Sequence, residues 1–309
     1  MSKKGTAALL AGIGAVAGGL IYGRDRIYKG VLKPKPTQEE GYLGKAGDVI
    51  GAMHFVREHP DKQDLYLNAV DGLRLHAAFL PVKNKDQHTY VIAIHGHNDN
   101  YERMGIYAKK YYESGYPVLM PDLRGHGRSE GDYVGFGYDD RLDILEWIYY
   151  LIRMDADARI ILHGISMGAA TVMMTTGETL PDNVKAAIED SGYSTLTGEF
   201  EAVYRRTGKG IVPSKTATQA VRQVILNKAG FDINDVNCRK AVARSKTPTL
   251  FLHGEADLTV PSYMCREVYE AAACPKKMKI FLNAGHVDAV GLEPDLYWET
   301  VDRFLSEWI

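Results

Sequence analysis

From Tyr90 onward the chain repeats one pattern, a short and almost wholly apolar run followed by a longer stretch with apolar residues at helical spacing. The runs are Tyr90-Val91-Ile92-Ala93-Ile94, Val118-Leu119-Met120, Ile160 to His163, Ala186-Ala187-Ile188, Thr249-Leu250-Phe251-Leu252 and Lys279-Ile280-Phe281-Leu282. Between them lie the helical stretches Met104 to Ser114, Leu142 to Met154 and Thr171 to Thr175. An apolar run without alternation reads as a strand buried on both faces, and such strands make a mostly parallel sheet with helices on either side. The expected fold class is therefore α/β. Ahead of the series, Leu65-Tyr66-Leu67 and Leu73-Arg74-Leu75-His76-Ala77 flank Asp71-Gly72, a hairpin signal that starts the sheet with two antiparallel strands. Parallel sheets collect their working loops at the carboxyl ends of the strands, so the residues after each run are where chemistry is expected.

One junction stands apart. The run Ile160-Ile161-Leu162 ends at His163, and Gly164, Ser166 and Gly168 then fall in the order G-x-S-x-G before a helix-forming stretch. A sharp strand-to-helix turn forces its middle residue into a strained conformation, and a Cβ at either flanking position would collide with the neighbouring strand and helix. Ser166 is the candidate nucleophile. A serine hydroxyl is weak at neutral pH, so it requires a base, an orienting acid and an oxyanion site.

The acid is sought in Leu252-His253-Gly254-Glu255-Ala256-Asp257, which follows a strand and precedes a helix; Asp257 is the choice, with Glu255 and Asp190 as alternatives. The base is sought in Ala284-Gly285-His286-Val287-Asp288, after the last strand. Between Asp257 and His286 there is room for one helix and one strand, which returns both to one edge. The order Ser166, Asp257, His286 favours catalytic roles for all three. Two backbone N–H groups, those of His97 in the turn His95-Gly96-His97-Asn98 and of Met167 after the nucleophile, are expected to form the oxyanion site, with Asn98 the alternative to His97.

The formal charge of −2 over 309 residues gives no reason to expect a nucleic-acid partner. Cys238, Cys265 and Cys274 have no metal-ligand spacing, and neither a metal nor an organic cofactor is expected. Tyr193 to Ala243 lacks a convincing strand, but Phe200, Val203 and Tyr204, then Ala220, Val221, Val224 and Ile225, recur at helical spacing. This stretch, about 193–243, reads as a helical lid over the strand ends, with Phe200, Tyr204, Val221 and Ile225 as candidate contacts to an apolar substrate group.

The amino-terminal segment is different. Gly5 to Gly23 carry no charge and are flanked by Lys3, Lys4, Arg24, Arg26 and Lys29, so residues 1–30 are expected to be a single membrane-anchoring helix, side undetermined. A signal peptide cleaved near Ala15-Val16-Ala17, giving a secreted protein, is the alternative. Residues 31–60 read as a linker and lead-in, opened by Val31-Leu32-Lys33-Pro34-Lys35-Pro36, and residues 61–309 as the folded domain.

Residues from about 65 onward resemble the α/β-hydrolase superfamily. The resemblance rests on the G-x-S-x-G junction, on His95-Gly96, on Asp122-Leu123-Arg124-Gly125-His126-Gly127-Arg128-Ser129, and on Gly254-Glu255-Ala256-Asp257 followed by Val260-Pro261. The nearest group resembles bacterial serine hydrolases with a helical cap, esterase-like or serine-aminopeptidase-like. The resemblance implies hydrolysis of a small carboxylic ester through an acyl-enzyme, with peptidase and acyltransferase activities as alternatives on the same residues. A noncatalytic binding protein retaining the fold is the alternative outside enzymes.

Overall fold

A computed structural model describes residues 20–35, 48–83, 88–207 and 212–309 of the chain. In chain order its main elements are α1 (Leu20–Ile27), α2 (Val49–Glu58), β1 (Gln63–Asn68), β2 (Arg74–Leu80), β3 (Thr89–Ile94), α3 (Gly105–Glu113), β4 (Val118–Pro121), α4 (Asp140–Met154), β5 (Arg159–Ile165), α5 (Met167–Thr176) and β6 (Val184–Asp190). There follow α6 (Leu196–Thr207), α7 (Ser214–Ala229), α8 (Cys238–Val242), β7 (Thr249–Gly254), α9 (Tyr263–Ala271), β8 (Lys276–Phe281), α10 (Ala289–Leu292) and α11 (Pro294–Leu305).

The eight strands form one sheet in the order β1-β2-β4-β3-β5-β6-β7-β8. Strand β2 runs antiparallel to both β1 and β4, and every other neighbouring pair is parallel. The hairpin turn works because Gly72 takes φ +89°, a conformation that L side chains rarely adopt. Successive strand residues feed opposite faces. Ile92, Ile94, Ile160 and Leu162 join one core with α4, α5 and α9, whereas Val91, Ala93 and Ile161 join the other with α3 and α11. Two-faced burial is what gives these strands their uninterrupted apolar runs.

The amino-terminal expectations need correction. Among the described residues no helix is long and apolar enough to cross a membrane. The described helix α1 carries Arg24, Asp25 and Arg26, and Ile27 at its end and Val31 and Leu32 after it are buried in the main core of the domain. The carbonyl of Leu32 accepts the Val134 N–H at 2.8 Å, and the Tyr28 hydroxyl donates to the Asp132 carbonyl at 3.0 Å. The membrane-anchored assignment therefore fails: no spanning helix lies among the described residues, and Ile27, in the described part of residues 1–30, packs into the protein core. Residues 1–19, with most of the uncharged run and the Ala15-Val16-Ala17 site, lie outside the described residues.

The lead-in also differs from a linker. Asp48 caps α2 by accepting the Gly51 N–H at 2.8 Å, and Ala52, Met53 and Val56 are buried. A Cβ on Gly105 would stand 2.4 Å from the Ala52 carbonyl oxygen, so α2 and α3 touch backbone to backbone at that glycine. Short, mixed composition hid this helix from a periodicity argument.

Candidate active site

The turn after β5 sets the site. Ser166 has φ +54° and ψ −118°, a conformation disfavoured for a residue with a side chain. A Cβ on Gly164 would lie 2.2 Å from the Gly168 carbonyl oxygen, and one on Gly168 would lie 2.2 Å from the Ile94 carbonyl oxygen. Glycine at both places thus lets strand, turn and helix close on one another. The Ser166 N–H donates to the Asp190 carbonyl at 2.8 Å, which ties the turn to β6.

Asp257 and His286 are brought to Ser166 from the loops after β7 and β8. His286 Nε2 lies 2.8 Å from Ser166 Oγ, and His286 Nδ1 lies 2.7 Å from Asp257 Oδ2. The other carboxylate oxygen accepts the Thr259 and Val260 N–H groups at 2.7 and 2.9 Å. The Asp257 side chain is fully buried; burial alone would raise its pKa, but His286 and His253 together hold it well below the usual carboxylate range. Ser166, in contrast, keeps partial access to solvent.

The loop after β3 lies against the serine. A Cβ on Gly96 would contact the Ser166 Cβ at 3.4 Å. Asn98 takes φ +58°, and its N–H donates to His126 Nε2 at 3.3 Å. Met167 opens α5, where the first amides of a helix have no partner within it. The His97 ring stacks on Phe136, with centroids 5.6 Å apart and planes at 14°. Burial, then the neighbouring His126, pushes His97 down to about 3, so the ring is neutral.

The alternatives for the acid sit elsewhere. Glu255 is exposed and pairs with Arg266 at 3.0 Å. Asp190 is buried beneath the turn, where it accepts hydroxyls from Ser191 (2.8 Å), Tyr297 (2.9 Å) and Tyr107 (3.4 Å). In the helical excursion after β6, Phe200, Tyr204, Val221 and Ile225 are all buried in the main core. Phe200 meets Phe136 edge-on at 5.5 Å and so reaches the His97 loop through one ring, and Tyr204 donates to the Val212 carbonyl at 2.8 Å.

Three buried titratable groups beside Asp257 escaped the sequence reading. Glu189 on β6 and Glu199 on α6 are each pushed up to about 8, chiefly by burial. His253, four residues before Asp257, was read only as part of a strand end, and its Nε2 lies 3.2 Å from Asp257 Oδ2. The i, i+4 spacing of His253 and Asp257 across a glycine turn was the available signal. Among the described residues, one set could hold a metal ion: His88, Asp155 and Asp157, which precede β3 and β5 at the opposite end of the sheet.

An antiparallel second strand in an otherwise parallel sheet, with a strained serine at the turn into a helix, defines an α/β-hydrolase. Comparison with known proteins agrees. The family model described as serine aminopeptidase, S33, matches residues 85–202. The chain is 25% identical to the uncharacterized protein YqkD of Bacillus subtilis over 218 residues, 70% of each chain. It is 23% identical to the AB hydrolase superfamily protein YisY of the same organism, covering 63% of this chain and 84% of that one. Among solved structures it is similar to the Pyrococcus furiosus esterase Pf2001, with a TM-score of 0.67 at 20% identity over 89% of this chain and 98% of that chain. The chain has the α/β-hydrolase fold, and the family match and the curated relatives support an α/β-hydrolase superfamily protein.

Proposed function

We propose that this protein is a serine hydrolase that cleaves a carboxylic ester by acyl transfer to water. The observation that carries the reading is the hydrogen-bonded series from Ser166 Oγ through His286 to Asp257, at 2.8 and 2.7 Å, built on a serine with φ +54°. Ser166 attacks the carbonyl carbon while His286 Nε2 takes its proton. Asp257 accepts the Nδ1 proton of His286, fixing the tautomer that leaves Nε2 free as a base and stabilising the imidazolium that forms.

The oxyanion is bound by the N–H groups of His97 and Met167, each worth about 3 kcal/mol in comparable sites. Asn98 is the weaker choice because its N–H is already engaged by His126. His286 then returns the proton to the departing alcohol, and a water activated by the same nitrogen releases the acyl group. The excursion over about 193–243 acts as a lid: Phe200, with Phe136, supplies an apolar wall, and Tyr204, Val221 and Ile225 belong to the packed core that carries it.

A peptidase is the second reading, favoured by the serine aminopeptidase description of the matching family. Initial rates on 4-nitrophenyl esters of graded chain length and on aminoacyl 4-nitroanilides separate the two. We expect ester hydrolysis that falls to background in Ser166→Ala and His286→Ala. Preference for the anilides replaces the esterase reading with the peptidase one, and no turnover of either class by the folded protein removes both.

A further inference from the structure

Asp257 presents an electrostatic problem in the resting protein. To act as a base, His286 must be neutral before reaction, and the fully buried Asp257 carboxylate then has no counter-charge from it. Two backbone amides reach Oδ1, but an uncompensated buried carboxylate is strongly disfavoured. His253 stands where a counter-charge is needed. Its side chain is also fully buried, and its Nε2 lies 3.2 Å from the same oxygen, Oδ2, that faces His286.

The contact is one of charge rather than a directed hydrogen bond. The Nε2–H of His253 donates to the Val260 carbonyl at 2.9 Å, with the carboxylate beside that axis. A neutral Nε2–H tautomer would give Asp257 only an off-axis N–H, whereas a charged ring neutralises it, at the cost of a buried Nδ1–H without a partner. The counter-charge comes from Asp257 on its own loop; Glu189 and Asp190 on β6 and Glu199 on α6 also face the ring, but burial raises all three, and Glu189 and Glu199, pushed up to about 8, carry little charge at neutral pH. Opposing a proton on the ring are its burial and His286 from the loop after β8, a neighbour of the same carboxylate.

We propose that His253 is a second, proton-bearing imidazole on the Asp257 carboxylate, a positioning residue that keeps Asp257 charged and opposes premature charging of His286. The proposal rests on the Ser166–His286–Asp257 reading above. Burial works against the charge, but Asp257 outweighs it, through its contact with Nε2 and its charge, and raises His253 to about 9. Two imidazolium ions on one carboxylate repel each other, so a charged His253 keeps His286 available as a base further into acid solution.

Two measurements test this. His253→Gln retains an N–H near the Nε2 position for the Val260 carbonyl but removes the charge. In a pH profile of kcat/KM on 4-nitrophenyl acetate, the acid limb of this variant is expected to move up by about one pH unit. An unmoved limb in a folded, active variant overturns the proposal while leaving the triad intact. Independently of the variant's folding and of any activity, 15N NMR of the imidazole rings in the unaltered full chain at neutral pH is expected to find both His253 nitrogens protonated. A neutral His253 tautomer overturns the proposal; an inactive parent with a doubly protonated His253 counts against the esterase reading instead.

Discussion

Asp190, the last residue of β6, and Asp257, in the loop after the neighbouring β7, lie at the same sheet edge and are both buried, yet they are held in opposite electrostatic settings. Asp190 has hydroxyl partners, from Ser191, Tyr297 and Tyr107, and burial raises its pKa. Asp257 has His286, His253 and two backbone amides, and its pKa is depressed in spite of burial. Burial alone does not decide the state of a carboxylate; the charge of what surrounds it does. Asp190 also supports the turn from below, through its carbonyl to the Ser166 N–H and through Ser191, whose hydroxyl accepts the Val287 N–H at 3.4 Å beside His286.

The comparison can be broken most severely by neutralising each acid in turn. Asp257→Asn is expected to lower kcat/KM by roughly 10⁴-fold, because an amide favours the wrong imidazole tautomer, with the fold retained by circular dichroism. Asp190→Asn should retain most of the activity and instead lose about 1–3 kcal/mol of stability in chemical denaturation, the range for disrupting a buried hydrogen-bond network. Equal losses of activity in the two variants would erase the distinction drawn between them.

A smaller effect appears in the pH dependence of stability. Glu189 and Glu199 are raised from 4.5 to about 8, so the folded protein holds their protons more tightly than the unfolded chain. Their contribution is fully present below 4.5 and is lost as pH rises through about 8. His253, raised from 6.5 to about 9, adds a contribution present below 6.5 and lost as pH rises through about 9. Tm should therefore fall as alkali is added across this window, and Glu199→Gln should flatten part of the fall. A Tm that climbs through the window would mean that these acids are ionised in the folded state. The smallest change is expected at Leu258, next to Asp257 but 75% exposed: Leu258→Ser should alter stability by no more than about 0.5 kcal/mol.

Much of this was legible in the sequence because the decisive residues are local to strand ends. The apolar runs gave β3 to β8 to within a few residues, although β8 begins at Lys276 and ends at Phe281, earlier than Lys279 to Leu282 suggested. Charged and apolar residues mixed at Lys276 to Lys279 hide the start of an edge strand, whose half-buried faces need no apolar run. Gly164, Ser166 and Gly168 were legible because steric exclusion leaves a fixed pattern. His253 was not, since a histidine at a strand end carries no mark of the carboxylate that folds back beside it. The burial of Val31 and Leu32 was not legible either: ahead of Lys33-Pro34-Lys35-Pro36 they read as the start of a linker, because two apolar residues without periodicity do not report that Val134 and its neighbours receive them.

The central claim, that Ser166 is an activated nucleophile, is tested most directly by fluorophosphonate labelling of the full chain followed by mass spectrometry of the modified peptide. The account predicts one adduct on Ser166, lost in Ser166→Ala and strongly reduced in His286→Ala while both variants remain folded. An adduct on another residue, or undiminished labelling of Ser166→Ala, would contradict it.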